Sequence, residues 1–164
     1  MKILDVGCGD IKVEGAVGLD CVALPEVDIV HDLKSYPWPF EDDSFDIVYM
    51  NNIIEHLPET FKVMEEIHRI LKVGGKVKII TVYWNHFHSI TDPQHVTFYN
   101  EYSWDFFTGK RKGYYTKARF EIESLELTYD SYAKRIFKSK RLLNFLAHFL
   151  SNIIDGIHVV MVKK

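Results

Sequence analysis

Met1-Lys2-Ile3-Leu4-Asp5-Val6-Gly7-Cys8-Gly9-Asp10 opens the chain and sets its class. An apolar run (Ile3, Leu4, Val6) breaks into Gly7-Cys8-Gly9. A short apolar run cut off by glycines reads as a buried parallel strand ending in a tight turn. Glycine lets the backbone come close to a ligand, because no Cβ stands in the way. In an open α/β sheet the ligand lies outside the carboxyl ends of the strands. The first ten residues therefore predict a strand that leads straight to a bound small molecule.

Further strands are expected at Ala16–Leu19, Val27–Val30, Phe45–Met50, Lys76–Val82, Ile122–Thr128 and His158–Val162. The middle runs are rich in Val and Ile, as strands covered on both faces are. A helix is predicted over Pro58–Val73, with Phe61, Met64, Ile67, Ile70 and Leu71 at helical spacing and Gly74-Gly75 as its stop. A second is predicted over Lys140–Asp155, where Leu142, Phe145, Leu146, Phe149, Leu150 and Ile153 form a stripe that Gly156 ends. Asn100 is placed to cap a short helix through Phe107. Strands alternating with helices argue for a parallel α/β sheet. The irregular stretch from Tyr83 to Arg119 is dense in aromatic residues and histidine. Such a stretch inside a compact domain is usually functional.

The totals exclude several classes. A length of 164 residues predicts one domain, 1–164, with a core large enough to need no disulfide or metal. A formal charge of −3 gives no bulk attraction to nucleic acid or anionic membrane. Cys8 and Cys21 make no disulfide framework. No apolar run reaches membrane-spanning length and no signal-peptide pattern opens the chain, so a cytoplasmic location is expected.

Acidic residues recur where strands should stop: Asp5 before the glycine turn, Asp20 after the second strand and Asp32 after the third. A carboxylate has two acceptor oxygens, enough for both hydroxyls of a ribose. Asp20 is placed for that role, and Asp32 for an adenine amino group. A dinucleotide is disfavoured. Lys12 stands where its fingerprint needs a third glycine, and little room remains for a helix whose N-terminus would hold a pyrophosphate.

Ile3-Leu-Asp-Val-Gly-Cys-Gly9, Val17-Gly-Leu-Asp20 and Asp28-Ile-Val-His-Asp-Leu33 resemble the class I S-adenosylmethionine-dependent methyltransferases. So do Phe45-Asp-Ile-Val-Tyr-Met-Asn-Asn52, Glu55-His-Leu57 and Glu66-Ile-His-Arg-Ile-Leu-Lys-Val-Gly-Gly-Lys76, in the same order. The resemblance implies a Rossmann-like seven-stranded sheet of order 3-2-1-4-5-7-6, with strand 7 antiparallel and helices on its flanks. It implies S-adenosylmethionine as cofactor, held by Asp5, Gly7, Gly9, Asp20, Asp32, Leu33 and Asn51. Ile11 stands where the family has its third glycine, and the helix after strand one is trimmed. The family's N-terminal helices have no counterpart before Lys2, so either a cap is expected from elsewhere, a second subunit included, or the site is open.

The acceptor site is expected in residues 83–120. Tyr83 and Trp84 are placed either to face a sulfonium or simply to pack. Asp92-Pro93-Gln94-His95 resembles the Asp-Pro-x-His segment of small methyltransferases that act on sugars and glycans. That resemblance implies a small-molecule or glycan hydroxyl as acceptor, with His95 as general base and Asp92 or His88 orienting it. His86, His88, Asp92 and His95 are metal-ligand types, but their spacing fits no strong motif and no metal is expected. Lys110-Arg111-Lys112 and the basic residues of 134–141 keep a nucleic-acid acceptor as a minor alternative, beside a protein acceptor and a non-catalytic adenosyl-binding subunit. The segment 134–155, basic and then apolar, reads either as a face packed on the sheet or as a peripheral contact with an anionic membrane.

Overall fold

The computed structural model describes residues 1–164. Its strands are β1 (Ile3–Val6), β2 (Val17–Asp20), β3 (Ile29–Val30), β4 (Phe45–Asn51), β5 (Leu71–Val82), β6 (Phe120–Tyr129) and β7 (Ile154–Lys163). The helices are α1 (Thr60–Ile70), α2 (His88–Thr91), α3 (Ser131–Ile136) and α4 (Lys140–Ala147). One sheet runs β3-β2-β1-β4-β5-β7-β6, the expected order. Strands β1 to β5 pair in parallel, and β7 is antiparallel to both neighbours.

Register divides the side chains into two faces. Leu4, Val48, Val77 and Met161 form one cross-strand row, and Val6, Met50, Ile79 and Val159 the next. These rows are fully buried under Val63, Met64, Ile67 and Ile70 of α1, with Trp38, Tyr99, Trp104 and Phe107 closing the same core. The opposite face carries the rows Ile3, Ile47, Lys76, Val162 and Asp5, Tyr49, Lys78, Val160. All of these but Asp5 keep part of their surface in water or lie open. A shallow cavity of about 450 Å³ runs along that face, and no helical residue lines it. Doubly wound sheets normally bury both faces. Here the connections after β1 and β2 are turns rather than helices, so one layer is missing.

The turn after β1 is held by carboxylates instead. Asp5 Oδ2 accepts from the Val13 amide at 2.8 Å, and Asp20 Oδ2 from the Gly9 amide at 2.9 Å. Asp28 Oδ2 takes both the Gly18 amide and Lys12 Nζ at 2.7 Å. Lys12 is thus a brace for the trimmed loop.

Both long helices are shorter than their patterns predict. α1 stops at Ile70 because the amides of Asp43 and Ser44 cap the carbonyls of Arg69 and Ile70. Gly74-Gly75 then lies in the irregular start of β5. α4 stops at Ala147, and Ile154, Asp155 and Gly156 belong to β7. Gly156 is a strand residue, where a Cβ would meet Thr128 Oγ1 at 2.9 Å. The α4 stripe is also turned outward: Leu143 packs on Ala133 and Ile153, while Leu142, Phe145, Phe149 and Leu150 are exposed. Of the expected stripe only Leu146 and Ile153 pack inward, so the reading of a face packed on the sheet holds in part. The short helix near Asn100 is a 3-10 turn over Ser103–Phe107, with Asn100 Oδ1 accepting from the Tyr102 amide.

Candidate functional site

Two cavities meet beyond the carboxyl ends of β2, β3, β4 and β5. The first, about 480 Å³, is lined by Cys21, Asp32, Leu33, Asn52, Ile53 and Val96 among others. The second, about 710 Å³, is lined mainly by polar groups: Asn52, Glu55, His56, His88, Asp92 and His95. Asn52 and His56 line both, so the two form one crevice.

Backbone geometry builds the first cavity. Gly7 has φ +67°, and a Cβ on it would lie 2.4 Å from Ile53. Glycine is therefore required there for conformation and for space. Gly9 also has positive φ, and nothing stands within 4 Å of where its Cβ would be. Asp32 Oδ1 caps the Lys34 amide at 3.0 Å and keeps its other oxygen free. Asp20 holds the Gly9 and Val22 amides, one on each oxygen, and each oxygen retains a further acceptor position. The lining suits an adenosyl group: the second oxygen of Asp32 past the end of β3 and an apolar wall of Leu33 and Ile53, with open space over Gly9 nearby.

Three of the residues expected at the cofactor, Asp5, Gly7 and Asn51, line the cavity on the uncovered face. Asn51 lies at the end of β4 on the uncovered face, and its neighbour Asn52, at φ +50°, turns into the crevice. Alternation along β4 forces this, since successive side chains point to opposite faces. Asp5 also lines the uncovered face, where it braces Val13 and burial pushes its carboxyl up. It shapes the loop from behind.

The second cavity is assembled from distant segments. The amides of Val96 and Thr97 donate to the Glu55 carbonyl, and Thr97 Oγ1 donates to the Ile54 carbonyl at 3.1 Å. Tyr99 stacks on Trp104 with centroids 5.3 Å apart, and its hydroxyl bonds Thr60 Oγ1 at 2.6 Å. The stretch 83–120 is thereby an ordered wall that holds His95 against His56, ring centroids 4.6 Å apart. His95 Nδ1 bonds the Ser89 carbonyl at 3.1 Å. That carbonyl, and neither Asp92 nor His88, is the hydrogen-bond partner of the His95 ring. Asp92 Oδ1 accepts from the Gln94 amide, and one ligand-type atom each of His56, Asp92 and His95 lies within 4.8 Å of the others. His88 lines the same cavity. His86 is buried behind it, 3.6 Å from Asp130, and serves the structure.

Glu55 and His56 were not singled out as site residues from sequence. Glu55 is fully buried; Thr81 Oγ1 donates to its Oε2 at 3.1 Å, and its Oε1 has no partner. Burial pushes its carboxyl up, against the pull of its own amide, Thr81, His56 and His95. An acidic residue inside the apolar run Ile53-Ile54-Glu55-His56-Leu57 was the available signal, because buried unpaired acids are rare outside functional sites. Tyr83 packs in the core, with its hydroxyl on Glu101 Oε2 at 2.8 Å.

Residues 16–79 match the methyltransferase domain family. The demethylmenaquinone methyltransferase of Lysinibacillus sphaericus is 28% identical over 129 residues, covering 66% of this chain and 53% of the relative. The chain spans about half the length, or less, of the curated relatives it matches first. Among solved structures, a SAM-dependent methyltransferase from Archaeoglobus fulgidus superposes with a TM-score of 0.67 at 13% identity, over 99% of this chain and 86% of that one. Phosphoethanolamine N-methyltransferase 2 of Haemonchus contortus, crystallised with S-adenosyl-L-methionine, gives a TM-score of 0.62 at 18% identity, over 99% of this chain and 49% of that one. At such identities the structural likenesses establish the fold.

Proposed function

We propose that this chain, a class I S-adenosylmethionine-dependent methyltransferase by family and fold, methylates a hydroxyl of a small-molecule or glycan acceptor. The observation that carries the reading is the continuity of the two cavities through Asn52 and His56. Leu33, Asp32 and the free acceptor positions of Asp20 would hold the adenosyl end in the first. When bound, the cofactor supplies a methyl carbon activated by a positively charged sulfur. The acceptor occupies the second cavity, where alignment of its oxygen contributes much of the acceleration.

A neutral hydroxyl is a weak nucleophile, so a base is needed. Assigning the Nδ1 proton of His95 to the Ser89 carbonyl leaves the Nε2 lone pair free. Imidazole is suited to take a proton near neutral pH. Asp92 stabilises the positive charge that forms on His95, and Glu55 Oε1 accepts a second donor from the acceptor. A small-molecule acceptor is in keeping with the names of the demethylmenaquinone and phosphoethanolamine methyltransferases among the relatives.

Thermal shift tests the cofactor. Ligand at 100 times its dissociation constant adds roughly 2.7 kcal/mol, a rise of about 5–11 °C for a domain this size. S-adenosylmethionine and S-adenosylhomocysteine should both give it and NAD should not. No rise with either would favour an adenosyl-binding subunit that needs a partner. His95→Ala should bind cofactor normally and lose about 10²–10⁴-fold in turnover; full turnover would remove the base.

A further inference from the structure

We propose that residues 131–152, with Phe87 and Ile90, form a docking surface for an anionic lipid bilayer. No acidic residue occurs between Asp130 and Asp155, while Lys134, Arg135, Lys138, Lys140 and Arg141 do. All five are exposed and none forms an ion pair, on a chain whose formal charge is −3. Between and after these cations stand large apolar side chains in water: Ile136 at 70% exposure, Phe145 at 60% and Phe149 at 73%.

α4 has two apolar sides. Leu143, Leu146 and Ala147 face the small cluster with Ala133 and Ile153. Leu142, Phe145 and Phe149 line the opposite side at helical spacing, and the two phenyl rings touch at 5.3 Å between centroids. Large apolar side chains left together in water mark an interaction face. A basic, aromatic-rich helix of this kind lies in a membrane interface, its apolar side among the acyl chains and its cations at the anionic headgroups.

The surface is tied to the crevice. Asn152 Oδ1 accepts from the Phe87 amide at 2.7 Å, and the Asn152 amide donates to the Asn85 carbonyl. At the other end of the segment, Asp130 caps α3 through the Tyr132 and Ala133 amides and faces His86. Phe87 and Ile90 are exposed beside His88 and Thr91, which line the acceptor cavity. A bilayer seated on this surface would meet the mouth of that cavity. Given the proposed function, the acceptor would be carried in the lipid surface.

The test is sedimentation of the whole chain with vesicles of equal parts phosphatidylglycerol and phosphatidylcholine, against phosphatidylcholine alone. Binding should occur with the anionic vesicles at low salt and weaken as salt rises. Each cation removed should weaken it roughly fivefold, so Lys138→Gln/Lys140→Gln/Arg141→Gln should lose about a hundredfold. Phe145→Ser/Phe149→Ser should lose at least about tenfold with an unchanged melting temperature, because both rings are already in water. No pelleting of wild type with anionic vesicles would overturn the proposal. So would binding that ignores the phenylalanine changes, above all if a single-stranded oligonucleotide binds with the same salt dependence. A dimer in the absence of lipid that Phe145→Ser/Phe149→Ser dissociates would assign the surface to a second copy instead. None of these outcomes depends on turnover.

Discussion

Gly7→Ala is the sharpest probe of how the glycine turn and the cofactor cavity depend on one another. At φ +67° an L-residue sits in the left-handed region, which costs about 1–2 kcal/mol. The added methyl would lie 2.4, 2.7 and 2.8 Å from Ile53 Cγ1, Cδ1 and Cβ. Overpacking of that kind costs about 1–3 kcal/mol. Loss of unfolded-chain freedom returns about 0.4–1 kcal/mol. The net is roughly 1–5 kcal/mol, a fall in melting temperature of about 2–20 °C. Ile53 lines the cofactor cavity, so its displacement should also weaken S-adenosylmethionine binding by roughly tenfold, about 1.4 kcal/mol. A double-mutant cycle with Ile53→Ala isolates the collision. The pair should be less destabilised than the sum of the singles by about 1–2 kcal/mol, because Cγ1 and Cδ1 are gone while the Cβ of residue 53 still stands 2.8 Å from the new methyl. Melting curves and calorimetric titration of the four proteins measure both quantities. Additive effects within about 0.5 kcal/mol would refute the collision, and unchanged cofactor affinity in Gly7→Ala would refute the link to the cavity.

Exhaustive chelation should leave turnover unchanged. Loss of activity restored by a divalent cation would convert His56, Asp92 and His95 from base and neighbours into ligands. Glu55→Gln should raise the acceptor KM with little change in melting temperature, since the amide keeps the shape and the bond from Thr81; an unchanged KM would mean Oε1 faces no substrate. Burial holds His68 and His86 below the ordinary imidazole value, the former reinforced by Lys163 and the latter by His88. The unfolded chain therefore takes up protons that the folded chain refuses, and stability should fall as pH drops through about 6.5. Melting temperatures at pH 7.5 and 5.0 should diverge less in His68→Gln than in wild type, and equal divergence would clear His68 of the effect.

The sheet was legible because its strands are short apolar runs bounded by glycines and acids, and those signals are local. Asp20 and Asp32 are legible in the same way, as acids that end strands, whereas Leu33 rests on the family resemblance alone. Asn52 reaches the crevice because its positive φ turns the chain after β4, which no local pattern announces. Glu55 and His56 meet His95 only through the amides of Val96 and Thr97, a pairing across the sequence that neither segment specifies alone. The α4 stripe misled in a different way. Its helical period is real, but Ile154 to Gly156 are drawn into β7 by pairing with Tyr129, Thr128 and Val82. The stripe's spacing also says nothing of which side faces inward.

The uncovered face of the sheet has a thermodynamic consequence. Heat-capacity change on unfolding grows with the apolar surface newly exposed, at about 0.45 cal/mol/K per Å². A typical domain of 164 residues gives about 2.0–2.5 kcal/mol/K. Ile47, Tyr49, Ile80 and Val160 already touch water in the folded state, so this chain should fall below that range. Its denaturant slope should be shallow for the same reason. A flatter stability curve follows, one that loses little on cooling. Whatever molecule covers that face would restore the steeper curvature of a two-sided domain.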